Sequence, residues 1–460
     1  MNDSDTIAAI STALGNGGIH IIRISGSDSF EILKRIFKKG KSCSAFDADC
    51  YDSHTIHYGY IYDGDMCIDE VMVSLFKAPN SYTKENVAEI NCHGGSYVAK
   101  LMLKLVVNNG ARLAMPGEFT KRSFLNGRID LSQAESVMDI IKSQNEYSLM
   151  ASVNHLKGDI KEKISKIREI ILYEMAFIEA ALDDPEHYSL DDYTGGLREK
   201  INNILKELES LLKSYDNGRI INEGIFTAII GKPNVGKSSF LNFIMKDERA
   251  IVTDIPGTTR DIIEYSININ NIVLNLMDTA GIHDTEDYIE QIGIEKTLEI
   301  IKKAQLIICM FDMSRDFDSE DEYILSLIRD SKSIVLLNKS DADTKIDTKM
   351  IKESVPECIE FSTVTGEGYN EFVSAVEKMF FNGNIDIENE TYITNIRHME
   401  AIDNSIKSLE LVNDNIESGM PEDLITIDML DAYNFLGEIT GDTVSDDLID
   451  KIFSEFCMGK

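Results

Sequence analysis

The chain has 460 residues, 43% of them hydrophobic and 27% charged, the balance of a soluble globular protein of about two to four domains rather than a disordered or fibrous one. Its 45 Lys and Arg stand against 79 Asp and Glu, a net charge of −34, so no general basic field grips nucleic acid and RNA must be met by a local patch or a partner. No apolar run approaches the ~20 residues of a membrane-spanning helix, no N-terminal signal is visible, and seven cysteines without a C-x-x-C pair predict a reducing cytoplasm.

Residues 1–120 alternate β-rich runs with helical patterns, an α/β domain. Ile19–Ile24 follows a glycine cluster and Val71–Phe76 ends near Pro79, so both read as strands. Tyr97–Val107 has helical spacing and stops at Asn108-Asn109-Gly110. Cys92-His93 has no second ligand pair and reads as a packed turn with a satisfied histidine. Residues 121–218 become helical, with Ile201, Ile204, Leu205, Leu208, Leu211 and Leu212 at three- and four-residue steps. Asp183-Asp184-Pro185 breaks one helix, and Gly195-Gly196 predicts the next connection.

Over residues 219–383 the grammar is strand–loop–helix. Ile225–Ile230, Ile272–Met277, Leu306–Phe311, Ile334–Leu337 and Cys358–Phe361 are apolar runs followed by polar or glycine-containing loops, which predicts a parallel sheet wrapped by helices. Residues 384–460 return to helical spacing. The expected fold is therefore α/β and α multidomain: an N-terminal α/β domain, a helical domain in two sequence-distant halves, and a P-loop α/β domain inserted between them.

Gly231-Lys232-Pro233-Asn234-Val235-Gly236-Lys237-Ser238 fits G-x-x-x-x-G-K-[ST] between a strand and the helical Ser239-Phe240-Leu241, the context this motif requires. Its glycines let backbone N–H groups wrap a β-phosphate; Lys237 bridges the β- and γ-phosphates and the Ser238 hydroxyl binds Mg²⁺. Asp278-Thr279-Ala280-Gly281 ends the next strand, placing a carboxylate near the metal and a glycine N–H near the γ-phosphate. Asn338-Lys339-Ser340-Asp341 ends another; the Asp341 carboxylate accepts from the guanine ring N–H and exocyclic amine, which adenine does not offer. Gly257-Thr258-Thr259-Arg260-Asp261 occupies the interval of a switch loop. Together these segments predict GTP binding by a Ras-like G domain. After Asp-Thr-Ala-Gly stands Ile282 and not the Gln that orients water in Ras-like proteins, so another group must position the water and another charge must neutralise the transition state.

From Asp5-Thr6-Ile7-Ala8-Ala9 to Cys457-Met458-Gly459-Lys460 the chain resembles the MnmE/TrmE family of tRNA-modification GTPases. Arg23-Ile24-Ser25-Gly26, Cys92-His93-Gly94-Gly95, Pro116-Gly117-Glu118-Phe119-Thr120, Phe124-Leu125-Asn126-Gly127-Arg128, Asp130-Leu131-Ser132-Gln133-Ala134-Glu135 and the G motifs carry the likeness. The resemblance implies an N-terminal domain that binds folate and dimerises, and GTP hydrolysis that drives carboxymethylaminomethyl or aminomethyl modification at C5 of wobble uridine in certain tRNAs. It also implies the flavoprotein partner MnmG/GidA, in a heterotetramer, and a one-carbon unit from 5-formyl- or 5,10-methylene-tetrahydrofolate. K⁺ replaces an arginine finger, held by Asn234, the backbone carbonyls of Thr253 and Ile255, and the Thr258 position.

By the same likeness Thr259 joins Ser238 on Mg²⁺ and Glu290 aligns water, while Lys237 serves catalysis. The nucleotide segments extend over Asn234, Val235, Gly236, Lys237, Ser238 and Ser239, over Thr253, Asp254, Ile255, Pro256, Gly257, Thr258 and Thr259, and to Ser362. Arg23, Glu89, Arg128 and Lys460 match the folate site, with Arg128 where the family carries Lys. Lys84 stands where the family usually has Gly, Met458 replaces Ile, and Thr363 replaces the Ala common in guanine loops. A lone terminal cysteine is ordinarily inert; the resemblance gives Cys457 a catalytic or cofactor-handling role. The alternative is a GTPase switch of the ribosome-assembly type, but such proteins append a basic RNA module. Here residues 384–460 hold four Lys and Arg (397, 407, 451, 460) against eighteen Asp and Glu, a local net of −14. The choice of tRNAs, and of glycine or ammonium as the amine, stays open.

Overall fold

The computed structural model describes residues 5–184, 187, 193–246, 252–253, 263–277, 299–329, 331–381, 390–456 and 459–460. The chain forms two compact units, one of Met1–Met138, His155–Asp191 and Asp414–Lys460, the other of Asp139–Asn154 and Asp192–Asn413. Among the described residues no helix is long and apolar enough to cross a membrane.

The first unit is built on an eight-stranded sheet. Its strands are β1 (Ile7–Ile10), β2 (Ile19–Ser25), β3 (Phe37–Lys39), β4 (Ser44–Ala45), β5 (Thr55–Asp63), β6 (Met66–Phe76), β7 (Val87–His93) and β8 (Arg112–Leu113), in the order β4-β3-β5-β6-β7-β2-β1-β8. β2 shows why: His20, Ile22 and Ile24 alternate inward, the period-two pattern of a half-buried strand. The helices Ser29–Ile36 and Ser96–Asn108 bury Ile32, Leu33, Met102, Leu105 and Val106 against that face. The second helix ends at Asn109 with Gly110 at φ +124, the stop read from the sequence. In the same unit the helices Asp159–Asp183 and Glu422–Thr440 pack on each other, and the C-terminal helix Asp446–Ser454 sets Ile449 and Phe453 against Leu131 and Ala134.

The second unit holds a seven-stranded sheet of β9 (Ile225–Ile230), β10 (Val252–Thr253), β11 (Ile263–Ile269), β12 (Ile272–Met277), β13 (Leu306–Asp312), β14 (Ser333–Asn338) and β15 (Cys358–Phe361), ordered β10-β11-β12-β9-β13-β14-β15. The five strands read from apolar runs are present and parallel. Along β13, Leu306, Ile308 and Met310 enter one core while Ile307, Cys309 and Phe311 enter another, so both faces are covered and the strand is apolar throughout. The antiparallel β11 has its own alternating sequence but follows directly on the switch-loop segment Gly257–Asp261, and the sequence reading passed over it.

One expectation is corrected. Gly195-Gly196 is not a connection; both residues lie in the first turn of the helix Tyr193–Lys213. Two helical glycines cost about 1 kcal/mol each. The buried stripe Leu197, Ile201, Ile204, Leu205, Leu208 and Leu211 outweighs that, at about 1.5–3 kcal/mol per buried side chain.

Candidate functional site

β9 delivers the chain into the loop Gly231–Gly236, and the helix Lys237–Lys246 follows at once. Gly231 has φ +147, and a Cβ there would stand 2.5 Å from the Met310 carbonyl oxygen; no side chain fits. Asn234 takes φ +63 and Gly236 φ +106, so the loop coils back over the helix N-terminus. A Cβ on Gly236 would meet Asn338 Nδ2 at 2.1 Å. That amide donates to the Val235 carbonyl at 2.7 Å, while Asn338 Oδ1 accepts from Thr363 N at 3.4 Å. Asn338 thus ties the phosphate loop to the two loops that end β14 and β15.

Lys237 Nζ donates to the carbonyls of Gly231 and Lys232, the latter at 2.8 Å. Burial pushes its ammonium below the ordinary lysine range, and Arg315 adds to the effect. A bound phosphate would supply the missing negative charge. Ser238 and Ser239 sit in the first turn, where orphan N–H groups and the helix dipole favour anions. The loop's other flank is pinned by Lys232, a buried side chain paired with Asp318 and, at 2.9 Å, with Asp321. Asp318 is also the N-cap of the helix Ser319–Ile328. The sequence reading missed this latch, because the acidic run 318–322 resembles any solvated helix start.

Beyond β14, Lys339 adopts φ +67 and pairs with Asp312. Ser362 Oγ donates to Asp341 Oδ1 at 2.6 Å and accepts from the N–H of Val364 (3.2 Å) and Thr365 (3.1 Å). This holds the Asp341 carboxylate at the loop rim. Ser340 N–H donates to the Phe361 carbonyl at 3.1 Å. The structure therefore brings Asn234, Val235, Gly236, Lys237, Ser238, Ser239, Asn338, Lys339, Ser340, Asp341 and Ser362 to the ends of adjacent parallel strands. Thr253 lies on β10, opposite Ser266. Asp254, Ile255, Pro256, Gly257, Thr258, Thr259, Asp278, Thr279, Ala280, Gly281, Glu290 and Cys457 lie outside the described residues.

A second cluster forms in the N-terminal sheet. Arg23 on β2 faces Glu89 on β7, and its Nε donates to Glu89 Oε1 at 2.9 Å. Arg23 lies 5.4 Å from the centroid of the Tyr82 ring and 5.7 Å from that of Phe119; Arg128 lies 4.9 Å from the Tyr82 ring. Two guanidiniums thus share one aromatic ring, a planar arrangement that lysine does not reproduce. Tyr82 had no motif to mark it; only tertiary contact reveals it. At the far end of the chain Gly459 packs beside β1: Ser11 Oγ donates to its carbonyl at 2.9 Å, which anchors Lys460 near the end of that strand.

Lys84, in the family's glycine position, takes φ +59, the left-handed conformation that explains the glycine, and its Nζ donates to the Gly127 carbonyl at 3.0 Å. Cys92 is buried, while His93 is exposed and its Nδ1 lies 2.6 Å from Asp69 Oδ1. Among the described residues no group of His, Cys, Asp and Glu is arranged to hold a metal ion.

Two family models match the chain, the MnmE helical domain over residues 131–457 and the GTP-binding protein TrmE N-terminus over residues 6–128. A tRNA modification GTPase MnmE from Lachnoclostridium phytofermentans is 50% identical over 461 residues, spanning 99% of this chain and 100% of its own length. The Acetivibrio thermocellus protein of the same name is 48% identical over 100% of both chains, and that of Bacillus subtilis is 43% identical over 99% of this chain and 100% of its own. Among solved structures, a variant of Aquifex aeolicus Era bound to GDP.AlF4- is 26% identical over 40% of this chain and 66% of its own, with a TM-score of 0.28. With family models over both major regions and curated relatives aligned end to end, the chain belongs to the MnmE family of tRNA modification GTPases and is a GTP hydrolase.

Proposed function

We propose that the chain hydrolyses GTP to GDP with help from K⁺ and Mg²⁺ and couples this to C5 modification of the wobble uridine of certain tRNAs, in the cytoplasm and together with the flavoprotein MnmG/GidA. The observation that carries the nucleotide part is the Asn338 bridge, which holds the phosphate loop and the guanine-side loops in one register.

Lys237 exchanges its carbonyl partners for the β- and γ-phosphates, and Asp341, held by Ser362, takes the guanine N–H groups. Ser238 and Thr259 hold Mg²⁺. Asn234, with the backbone of Thr253 and Ile255 and the Thr258 position, would hold K⁺, whose positive charge would stabilise the negative charge that grows in the transition state. Glu290 aligns the attacking water, the task that Ile282 cannot perform. The donor set suits hard cations, because it is all oxygen.

In the N-terminal domain Arg23, Glu89, Arg128 and Lys460 would hold a tetrahydrofolate one-carbon donor, with Cys457 in a catalytic or cofactor-handling role. Glu89 offers a carboxylate to paired ring N–H donors, and the cations suit the donor's carboxylates. That domain, residues 1–120, also mediates homodimerisation; the helical domain comprises residues 121–218 and 384–460, and the G domain residues 219–383. The local net of −14 over residues 384–460 disfavours the ribosome-assembly alternative.

The test is GTP turnover with K⁺ exchanged for Na⁺ at constant ionic strength. The expected outcome is a fall of at least tenfold in Na⁺, the effect of about 1.4 kcal/mol on the barrier. Equal rates reject the cation mechanism.

A further inference from the structure

With a net charge of −34, this chain meets RNA through a local cationic patch or through a partner, and a local patch needs cations that are not already neutralised. Many of its described cations are consumed by carboxylates: Arg112 and Arg122 by Asp5, Glu85 and Glu118, Arg168 by Asp442, Lys232 by Asp318 and Asp321, Lys339 by Asp312.

One edge of the N-terminal sheet differs. From Ile32 to Phe46 the sequence has no Asp or Glu, yet it carries Lys34, Arg35, Lys38, Lys39 and Lys41. The first two end the helix Ser29–Ile36, the next two lie on β3, and Lys41 sits in the β3–β4 turn at the outer edge of the sheet. A second acid-free stretch, Ile90–Gly117, holds the helix Ser96–Asn108, with Lys100 and Lys104 exposed about one turn apart on one face. Arg35 Nη1 donates to the Asn109 carbonyl at the end of that helix (2.8 Å) and joins the two stretches.

The cations are held without being neutralised. Lys38 Nζ lies 4.1 Å from the Tyr62 ring centroid and Lys39 Nζ 3.9 Å from that of Tyr51. An aromatic face steadies an ammonium but leaves its charge available. Lys34 is the exception: it donates to Asp47 at 3.4 Å and pairs with Glu31 at 3.8 Å, so two carboxylates share its charge. Among the described residues no carboxylate lies within ion-pair distance of Lys38, Lys39, Lys41, Lys100 or Lys104.

We propose that this edge, from the β3–β4 hairpin across to the helix Ser96–Asn108, docks the phosphate backbone of tRNA, an inference that rests on the tRNA-modification reading. Charge complementarity selects the partner: spaced, unpaired lysines contact phosphate by point charge and release counterions.

The test is binding of an unmodified tRNA transcript to the full chain, followed by fluorescence anisotropy over a KCl series. Lys38→Gln/Lys39→Gln/Lys41→Gln is expected to flatten the slope of log K against log [KCl] by about 2–3, and Lys41→Gln alone by about 1. Lys41 touches no ring, so its loss does not disturb the fold, and GTP turnover is expected to stay unchanged in both variants.

Slopes equal to wild type, or a wild type that binds no tRNA, overturn the proposal and leave the lysines as guards of an open sheet edge. Mass analysis of wobble uridines in cells lacking the chain judges the underlying reading separately. Modification that persists there sinks both, whereas its loss combined with equal slopes sinks the docking surface alone.

Discussion

At the scale of single residues, the phosphate loop is decided by what cannot be there. Gly236 combines φ +106 with a Cβ position 2.1 Å from Asn338 Nδ2, so Gly236→Ala must push the Asn338 amide off the Val235 carbonyl. Backbone strain of this kind costs about 1–3 kcal/mol. We expect GTP affinity to fall about tenfold or more, measured by titration with a fluorescent nucleotide, and an unchanged Kd would show that the bridge does not set the loop. Lys84 illustrates the opposite case. It keeps a left-handed backbone at a glycine position and ties itself to Gly127, next to Arg128. The G-x-x-x-x-G-K-S spacing was legible in the sequence because the chemistry is local. The Tyr82 ring under Arg23 and Arg128 was not, because three separate segments create it.

At the scale of elements, the first unit is joined by a network of charges. Arg122, on the helix Glu118–Leu125, reaches Asp5 Oδ1 (2.8 Å), Glu85 Oε1 (3.0 Å) and Glu118 Oε1 (3.1 Å), and Arg112 pairs with Asp5 and Glu118 from β8. The network lines a cleft of about 510 Å³. Arg122→Ala removes one of the two arginines on the buried Glu118 and the half-buried Asp5 and takes the arginine from Glu85, and is expected to cost about 1–3 kcal/mol. A urea transition followed by circular dichroism measures it, and an unmoved midpoint contradicts it.

The sign with pH follows from the carboxyls. The Arg112 hydrogen bond holds Asp5 below the usual range; burial pushes Glu118 up, but hydrogen bonds from Arg112 and the Met115 N–H, together with the charges of Arg112 and Arg122, outweigh it and the net is also down. Depressed carboxyls stabilise the fold above their ordinary range and lose that contribution as pH falls through the lowered values. The gap between wild type and Arg122→Ala is therefore expected to close on acidification. Strands such as β13 were legible from apolar runs buried on both faces. The helical Gly195-Gly196 was not, because the buried stripe that overrides those glycines lies further along the helix.

At the scale of the whole molecule, the two ends of the chain meet. Ser11 Oγ and the Gly459 carbonyl are 448 positions apart yet 2.9 Å from each other. Removing Lys460 is expected to weaken binding of a reduced folate by about tenfold, the loss of one charge-assisted contact, with GTP turnover unchanged. Isothermal titration checks the first outcome and a phosphate-release assay the second; unaltered folate affinity removes Lys460 from that site.

The sequence by itself determined the parallel G-domain strands, the phosphate loop and the guanine motif, because each is written in consecutive residues whose backbone and side chains act together. Family likeness singled out Arg23, Glu89 and Arg128, whose role in folate binding is a proposal. Tertiary structure alone decided that Arg23 and Arg128 meet on Tyr82 with Glu89 against Arg23, that Asn338 locks the phosphate loop, that Lys232 latches it to Asp318 and Asp321, and that unpaired lysines collect at one sheet edge. The physical reason is common to all four. Hydrogen bonding, ring stacking and charge neutralisation act over a few ångströms of space, so whether a cation is spent or free depends on residues that may lie hundreds of positions away along the chain.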